Sequence, residues 1–473
     1  MTGTGNVVGL DSIDAGSLVG AASVTLAGSG ASTLLGGTGV ADVIDTGFGD
    51  SISGYTGALN VTLTGSGTTI DGGAGAVTLD QTAAAGSAVI DGGAGGITGT
   101  LAGLDATVQG GAGAVSLDLA STLGAVTLTG GSGGLTATLE GANTTVTAGA
   151  NATVFGGAGG QTTTITGSGA WITGGDGASN IVVSNTATDA AILGGAGSLS
   201  VNDQGTGDTI GAFGASSANV TLGGSNAIVI GGTNALDVTG SGTGAFTVGS
   251  GTGPVTVSAA SGGAAVVFGG PASSPLVFIG GAGASTILGG LGTNSIVGGS
   301  GGVLYASRSG TATIDGGSGV ATLFGGAGGD IDYINAGTAG GALFAAGAGN
   351  ETLDASGSAT NNTLFGGHDS AGGDLMKAGS GNDTLVAGTG ADTMVGGSGH
   401  DLFVFFSGAA GGQDVINDMT GSDTVAFVGY NQQSLATSLQ NATSTGSSVS
   451  ITLSDNTKVT FNGITSLTGQ HII

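Results

Sequence analysis

Apolar positions in this chain come in short bursts. Val61-Thr62-Leu63-Thr64, Val126-Thr127-Leu128-Thr129 and Ile228-Val229-Ile230 are β-branched, alternate apolar with small or polar side chains, and are bounded by glycine. That pattern predicts short β-strands with one buried face. No segment before about residue 430 carries a helical period. Between the bursts, Gly-Gly-x-Gly tetrads begin at Gly72, Gly92, Gly110, Gly130, Gly156, Gly174 and Gly194. Their step is mostly about 18–20 residues, the length of one two-strand coil in a repeat architecture. At Gly280, Gly289 and Gly298 the step shortens to about nine residues, half a coil. The predicted fold is all-β: a parallel β-solenoid or β-roll built from glycine-rich repeats. Glycine turns with φ > 0 reverse the chain, and backbone hydrogen bonds run along the stack. Small side chains outnumber aromatics, so the cross-section is expected to be thin.

Composition narrows this reading. With 109 Gly, disorder would be the first expectation. Yet 39% of residues are hydrophobic and only 7% charged, the reverse of a disordered chain. Three prolines and no glycine at every third position exclude collagen. The net charge is −27, and the only basic residues besides histidine are Arg308, Lys377 and Lys458. Nucleic acid is excluded as a partner, because phosphate binding needs clustered cations. An acidic surface instead suits bound cations. There is no cysteine, so a disulfide framework is impossible and metal ions are the natural staple. No apolar run approaches the roughly 20 residues of a membrane helix. The start, Met1-Thr2-Gly3-Thr4-Gly5, lacks the basic and apolar regions of a cleavable signal. Export without an N-terminal signal is the expectation, unless Met1 is an artificial start.

The strongest motif lies between Ala378 and Val404. Three nonapeptides stand in tandem there: Ala378-Gly379-Ser380-Gly381-Asn382-Asp383-Thr384-Leu385-Val386, Ala387-Gly388-Thr389-Gly390-Ala391-Asp392-Thr393-Met394-Val395 and Gly396-Gly397-Ser398-Gly399-His400-Asp401-Leu402-Phe403-Val404. Glycine, aspartate and an apolar residue fall in register three times. The pattern is Gly-Gly-x-Gly-x-Asp-x-apolar-x, the repeat of calcium-binding parallel β-rolls. A degenerate copy precedes them and ends in Asp374-Leu375-Met376-Lys377.

On these residues the chain resembles the RTX (repeats-in-toxin) family of calcium-binding β-rolls exported by type I secretion, in the manner of an S-layer-like or matrix-fibre member. The resemblance implies that six residues of each repeat form a turn, that three form a strand, and that Ca²⁺ lies between stacked turns. Asp383 and Asp401 should then share one edge of the roll, and Asp374 and Asp392 the other. The implied metal set is Asp374, Asp383, Asp392, Asp401, Asp330, Glu351 and Asp414. Turn backbone at Gly379, Gly381, Gly388, Gly390, Gly397 and Gly399 should complete the shells, since Ca²⁺ takes six to eight oxygens. Sites of this extracellular class bind at roughly 10⁻⁴–10⁻³ M, so the roll should fold outside the cell and not in low-calcium cytosol.

Upstream, the turn frame persists while the carboxylate at the sixth position disappears. Asp330 and Glu351 keep an acid; Ser285 and Asn294 do not. Earlier the position holds Ile97, Val115, Leu135, Gln161, Ser179 and Leu199. Residues 1–324 are therefore expected to be a degenerate glycine-rich solenoid mostly without calcium ligands, and 325–420 the calcium-binding roll. Two isolated stretches, Asp45-Thr46-Gly47-Phe48-Gly49-Asp50 and Gly205-Thr206-Gly207-Asp208, read as ordinary Asp/Gly turns.

After Val404 the repeat breaks. Gly411-Gly412-Gln413-Asp414 and Gly421-Ser422-Asp423 resemble the segment that closes an RTX roll. Residues 421–473 are expected to form a C-terminal cap and type I secretion signal. Gln432 to Gln440 carries Leu435 and Leu439 at helical spacing, and Val449–Leu453 with Lys458–Phe461 reads as a hairpin around Asp455-Asn456. No enzyme is expected. There is no His-Glu-x-x-His motif and no Gly-x-Ser-x-Gly elbow with a plausible histidine; His368, His400 and His471 sit in turns or near the end. Two functions remain. One is a secreted structural protein that self-assembles into a fibre or sheet, the unadorned N-terminal coil offering a head-to-tail contact. The other is an adhesin or ice-binding solenoid using Thr-x-Thr pairs such as Thr127/Thr129 and Thr145/Thr147.

Overall fold

The computed structural model describes residues 4–8, 12–17, 19–81, 85–120, 124–140, 143–271, 274–327, 331–334, 341–368, 372–409, 411–467 and 472–473. The chain forms two units, Met1–Ala235 and Leu236–Ile473.

In the first unit, every coil contributes one strand to each of two parallel sheets. Sheet I contains Ala22–Ala27, Ala41–Asp45, Leu59–Leu63 and their successors; sheet II contains Thr68–Asp71, Ala88–Asp91, Ala106–Gln109 and theirs. Each residue pairs with its equivalent one coil on. Ile97 stands beside Val115, and Val115 beside Leu135. Strands such as Val115–Leu119 alternate buried and exposed positions without a break. Val115, Leu117, Leu119, Val126 and Leu128 all point inward and are at most 3% exposed. Identical rows stacked at strand spacing give a continuous apolar ladder. This is the parallel solenoid that the glycine period predicts.

The tetrad glycines have two separate duties. In the tetrads that begin at Gly72, Gly92 and Gly110, positive φ is confined to the second glycine: Gly73 (+64°), Gly93 (+55°) and Gly111 (+57°). The fourth glycine needs no unusual φ. At Gly113 a Cβ would lie 2.6 Å from the carbonyl carbon of Gly95 in the preceding coil. The turns of successive coils touch backbone to backbone, and this close approach, not chain reversal alone, is what excludes a side chain there.

The second unit repeats the plan with sheets III (Phe246–Gly249 onward to Thr424–Val428) and IV (Leu236–Gly240 onward to Gln413–Ile416). Towards its end the strands shorten to three residues, as in Thr384–Val386 and Thr393–Val395. The expected cap follows. Asn431 caps the helix Gln432–Gln440, accepting from the N–H groups of Gln433 and Ser434. Ser448–Thr452 and Lys458–Asn462 form the expected antiparallel hairpin, with Asn456 at φ +72° in the turn. Thr443–Thr445 adds a third strand that the sequence pattern does not reveal. Lys458–Asn462 also pairs in parallel with Gln413–Ile416, so the hairpin covers the last edge of sheet IV.

Candidate metal centre

The sixth position of each repeat is the first inward-facing position after the turn. In the first unit, Ile97, Val115 and Leu135 fill it and are buried. In the nonapeptides, carboxylates fill it, and they are equally buried: Asp374, Asp383, Asp392 and Asp401 are at most 4% exposed, and Glu351 and Asp414 at most 1%.

These side chains form two ladders along the two edges of the roll. On the first, the Asn362 N–H donates to Asp383 Oδ1 (2.6 Å), the Asp383 N–H to Asp401 Oδ1 (2.9 Å) and the Asp401 N–H to Asp423 Oδ1 (3.1 Å). On the second, the Glu351 N–H donates to Asp374 Oδ1 (3.0 Å), the Asp374 N–H to Asp392 Oδ1 (2.9 Å) and the Asp392 N–H to Asp414 Oδ1 (2.9 Å). The expected sharing of edges is therefore what the structure has. The second carboxylate oxygen often closes the turn behind it. Asp383 Oδ2 accepts from Gly379, Asp392 Oδ2 from Gly388 and Asp374 Oδ2 from Gly367. Gly379, Gly381, Gly388 and Gly390 are buried in these turns, while Gly397 and Gly399 take φ of +88° and +146°. Asp330 and His471 lie outside the described residues.

Sequence reasoning left two rungs out of the metal set. Asp423 ends the first ladder 22 residues after Asp401, and its Oδ2 accepts from the Thr420 N–H and hydroxyl. Its signal was Gly421-Ser422-Asp423-Thr424-Val425, a turn and strand out of nine-residue step. Asn362 continues the same ladder upstream, donating from Nδ2 to Asp383 Oδ1 and accepting the Ala342 N–H; an amide gave no acidic signal to find.

Electrostatically, the ladders are overloaded. Seven aspartates lie between residues 374 and 423, against Lys377 as the one strong cation. Burial raises the carboxyl groups of Asp383 and Asp392. It pushes Asp401 up to about 6, with the charges of Asp423, Asp383 and Asp418 adding to it. Asp414 is pushed up to about 8, again mainly by burial. Oδ2 of Asp401 and of Asp414 is buried with no hydrogen-bond partner. A buried anion without a counter-charge is costly. Every group offered is an oxygen, which suits a hard cation such as Ca²⁺.

A family model, the RTX calcium-binding nonapeptide repeat (4 copies), matches residues 277–302 and 368–403. These matched repeats, set on a parallel β-solenoid, support an RTX β-roll. Its repeats are calcium-binding repeats. No curated protein matches the chain. Among the described residues, no three carboxylate or imidazole groups converge on one point. Each RTX ion would thus be held by one or two carboxylates together with turn carbonyls.

The first matched segment shows what the RTX frame does without acid. Asn294 stands at the sixth position there. Its Oδ1 accepts from the Gly290 N–H (3.0 Å), and its Nδ2 donates to the carbonyls of Gly292 (3.1 Å) and Thr311 (3.2 Å). One neutral amide satisfies turn groups that elsewhere surround a carboxylate, leaving no charge for an ion to neutralise.

Proposed function

We propose that this is a secreted structural protein, locked by calcium along residues 351–428, whose coils associate side by side into an extracellular fibre or surface layer. Glu351, Asp374, Asp383, Asp392, Asp401, Asp414 and Asp423 serve as the calcium carboxylates, with the glycine-turn carbonyls beside them. RTX proteins are typically exported, and among the described residues no helix is long and apolar enough to cross a membrane. Export by the type I apparatus and folding only in external calcium fit a chain with no cysteine. Catalysis is not part of this reading: His400 Nδ1 contacts the Ser422 carbonyl in an exposed turn (3.1 Å).

The observation that carries self-assembly is a column on the outer face of sheet III. Register places Phe268, Leu288, Ala306, Phe324, Ala345 and Phe365 in one uninterrupted outward line. Phe268, Phe324 and Phe365 are 47%, 41% and 37% exposed. A contiguous apolar stripe on a chain this acidic marks an interaction surface, and a second copy of the same stripe is a partner that brings no unpaired charge into the contact. Sedimentation and negative-stain imaging in calcium test this. The wild type should form concentration-dependent assemblies, and Phe324→Ser with Phe365→Ser should abolish them. A strictly monomeric wild type would sink the reading.

A second reading has one observation in its favour. On sheet II, Thr127, Thr145 and Thr162 stack in register, and Thr129, Thr147 and Thr164 form a parallel column beside them. Such a flat two-column threonine array would suit ice or another ordered surface, and a thermal-hysteresis assay decides it.

A further inference from the structure

The first unit contains two copies of a buried carboxylate pair that its own neighbouring turns do not need. Asp45-Thr46-Gly47-Phe48-Gly49-Asp50 and Asp203-Gln204-Gly205-Thr206-Gly207-Asp208 share the pattern Asp-x-Gly-x-Gly-Asp. One turn leads from sheet I to sheet II and the other from sheet II to sheet I. All four aspartates are at most 1% exposed.

The architecture of the two turns coincides. Asp45 stands in an inward column between Leu26 and Leu63, and Asp203 between Val183 and Leu222. Each first aspartate uses Oδ1 to accept the N–H of the middle glycine, at 2.8 Å from Gly47 and 2.8 Å from Gly205. Each second aspartate uses Oδ1 to accept an N–H one coil earlier, from Ser32 (2.6 Å) and from Ala190 (2.7 Å). Gly49 and Gly207 both take left-handed φ, +76° and +77°. Asp50 Oδ2, Asp203 Oδ2 and Asp208 Oδ2 are buried and receive no N–H or hydroxyl donor among the described residues. Asp45 Oδ2 accepts from the Thr68 hydroxyl.

The two acids of each turn close on its middle glycine. A Cβ on Gly47 would strike Asp50 Oδ2 and lie 3.5 Å from Asp45 Oδ1. A Cβ on Gly205 would strike Asp208 Oδ2 and lie 2.9 Å from the Ala187 carbonyl oxygen. Val183 Cγ1 also stands 2.9 Å from that point, so only glycine leaves room for the carboxylates to fold over the turn.

The carboxylates are not there to build the turn. One coil after Asp45–Asp50, the same Gly-x-Gly turn is flanked by Leu63 and Thr68, with Gly67 at +77°. Elsewhere it is flanked by Ile165 and Ala170, with Gly169 at +70°. Apolar or neutral residues suffice for the backbone. Two buried carboxylates facing each other are costly unless something positive lies between them. The ligand set is all oxygen, which selects a hard divalent cation over zinc or copper.

We propose that each Asp-x-Gly-x-Gly-Asp turn binds one Ca²⁺ between its two aspartates, giving the first unit calcium staples of its own. The design differs from the nonapeptide: both acids come from a single turn, five residues apart, whereas the nonapeptide supplies one acid per turn. The sites also lie outside the residues matched by the repeat family.

The test is calcium content of the full chain after equilibrium dialysis, with Asp50→Asn and Asp208→Asn combined. An asparagine amide can donate to the facing carboxylate, so the variant retains a satisfied turn without the charge that holds an ion. The expected result is a loss of one calcium per substituted turn, with calcium bound by residues 351–428 unchanged. Equal calcium content in variant and wild type overturns the proposal and leaves a proton shared within each pair. Hydrogen exchange on the wild type guards against a variant that does not fold. Amides of 46–50 and 204–208 should exchange about tenfold more slowly in calcium than in chelator, as expected for a ligand-stabilised local element. Identical exchange at both turns, while residues 374–423 respond, likewise overturns it.

Discussion

The coil around Val115–Leu128 and the coil around Asp383–Met394 have the same path but different interiors. The first buries Val115, Leu117, Leu119, Val126 and Leu128. The second buries Leu385, Val386 and Met394, with Asp383 and Asp392 at the positions where strands would otherwise begin. Roughly two large aliphatic side chains are missing, which at about 1.5–3 kcal/mol each forgoes about 3–6 kcal/mol per coil. A cation bound at about a hundredfold excess over its Kd restores about 2.7 kcal/mol per site. Two edges per coil would then offset most of the deficit. The difference teaches that aspartate at the sixth position is not an addition to a finished solenoid; it replaces core with a buried carboxylate that, in the reading proposed above, calcium completes.

Chelation should have the largest effect on this contrast. In chelator, residues 351–428 should lose amide protection and become protease-sensitive, while the coils from Leu59 to Ile165 keep their strand protection. Uniform protection in both regions would remove the contrast altogether.

Point substitutions should separate the regions next. Asp392→Ala deprives the buried N–H groups of Asp374 and Gly388 of their acceptor. At about 1–3 kcal/mol for each orphaned donor, denaturant unfolding in calcium should show a loss of about 2–6 kcal/mol. Leu128→Ala should cost about 2–5 kcal/mol by leaving a cavity, and that cost should be the same with and without calcium.

The pH response comes third. Asp401 and Asp414 have folded pKa values of about 6 and about 8, above the roughly 3.9 of an unfolded aspartate. The folded state then binds more protons than the unfolded state between those limits. In chelator, the stability of this region should be greatest below pH 4 and fall as pH rises through 6 to 8, by at most about 1.4 kcal/mol per pH unit for each group. Calcium should flatten the profile, because the ion replaces the protons. Melting curves across pH, with and without calcium, check both the slope and its sign.

The smallest effect belongs to the one ion pair found among the described residues, Lys377 Nζ to Asp354 Oδ2 at 3.1 Å. It is partly exposed, so Lys377→Ala should cost no more than about 1 kcal/mol and less at high salt.

Much of this was legible in the residues. Repetition is a one-dimensional signal, so glycine spacing and short apolar bursts were enough to specify a parallel solenoid, its coil length and its cap. The nonapeptides also named their own acids, because Asp383, Asp392 and Asp401 fall in strict register. Asn362 escaped because an amide carries no acidic signal, and Asp423 because its turn, Thr420-Gly421-Ser422-Asp423, lacks the paired glycines that precede Asp414. The outer column from Phe268 to Phe365 escaped for a related reason: single exposed aromatics carry no message until coil register aligns them.

The sequence by itself determined the coil, since each strand and turn needs only local residue types. Tertiary structure decided which carboxylates face each other and whether they have donors. That depends on stacking between coils, and a shift of one residue in any turn would send the same aspartates to solvent. Asp45 and Asp50 illustrate the point. As letters they read as an ordinary turn; stacked coil on coil, with Asp45 between Leu26 and Leu63, they become a buried carboxyl pair.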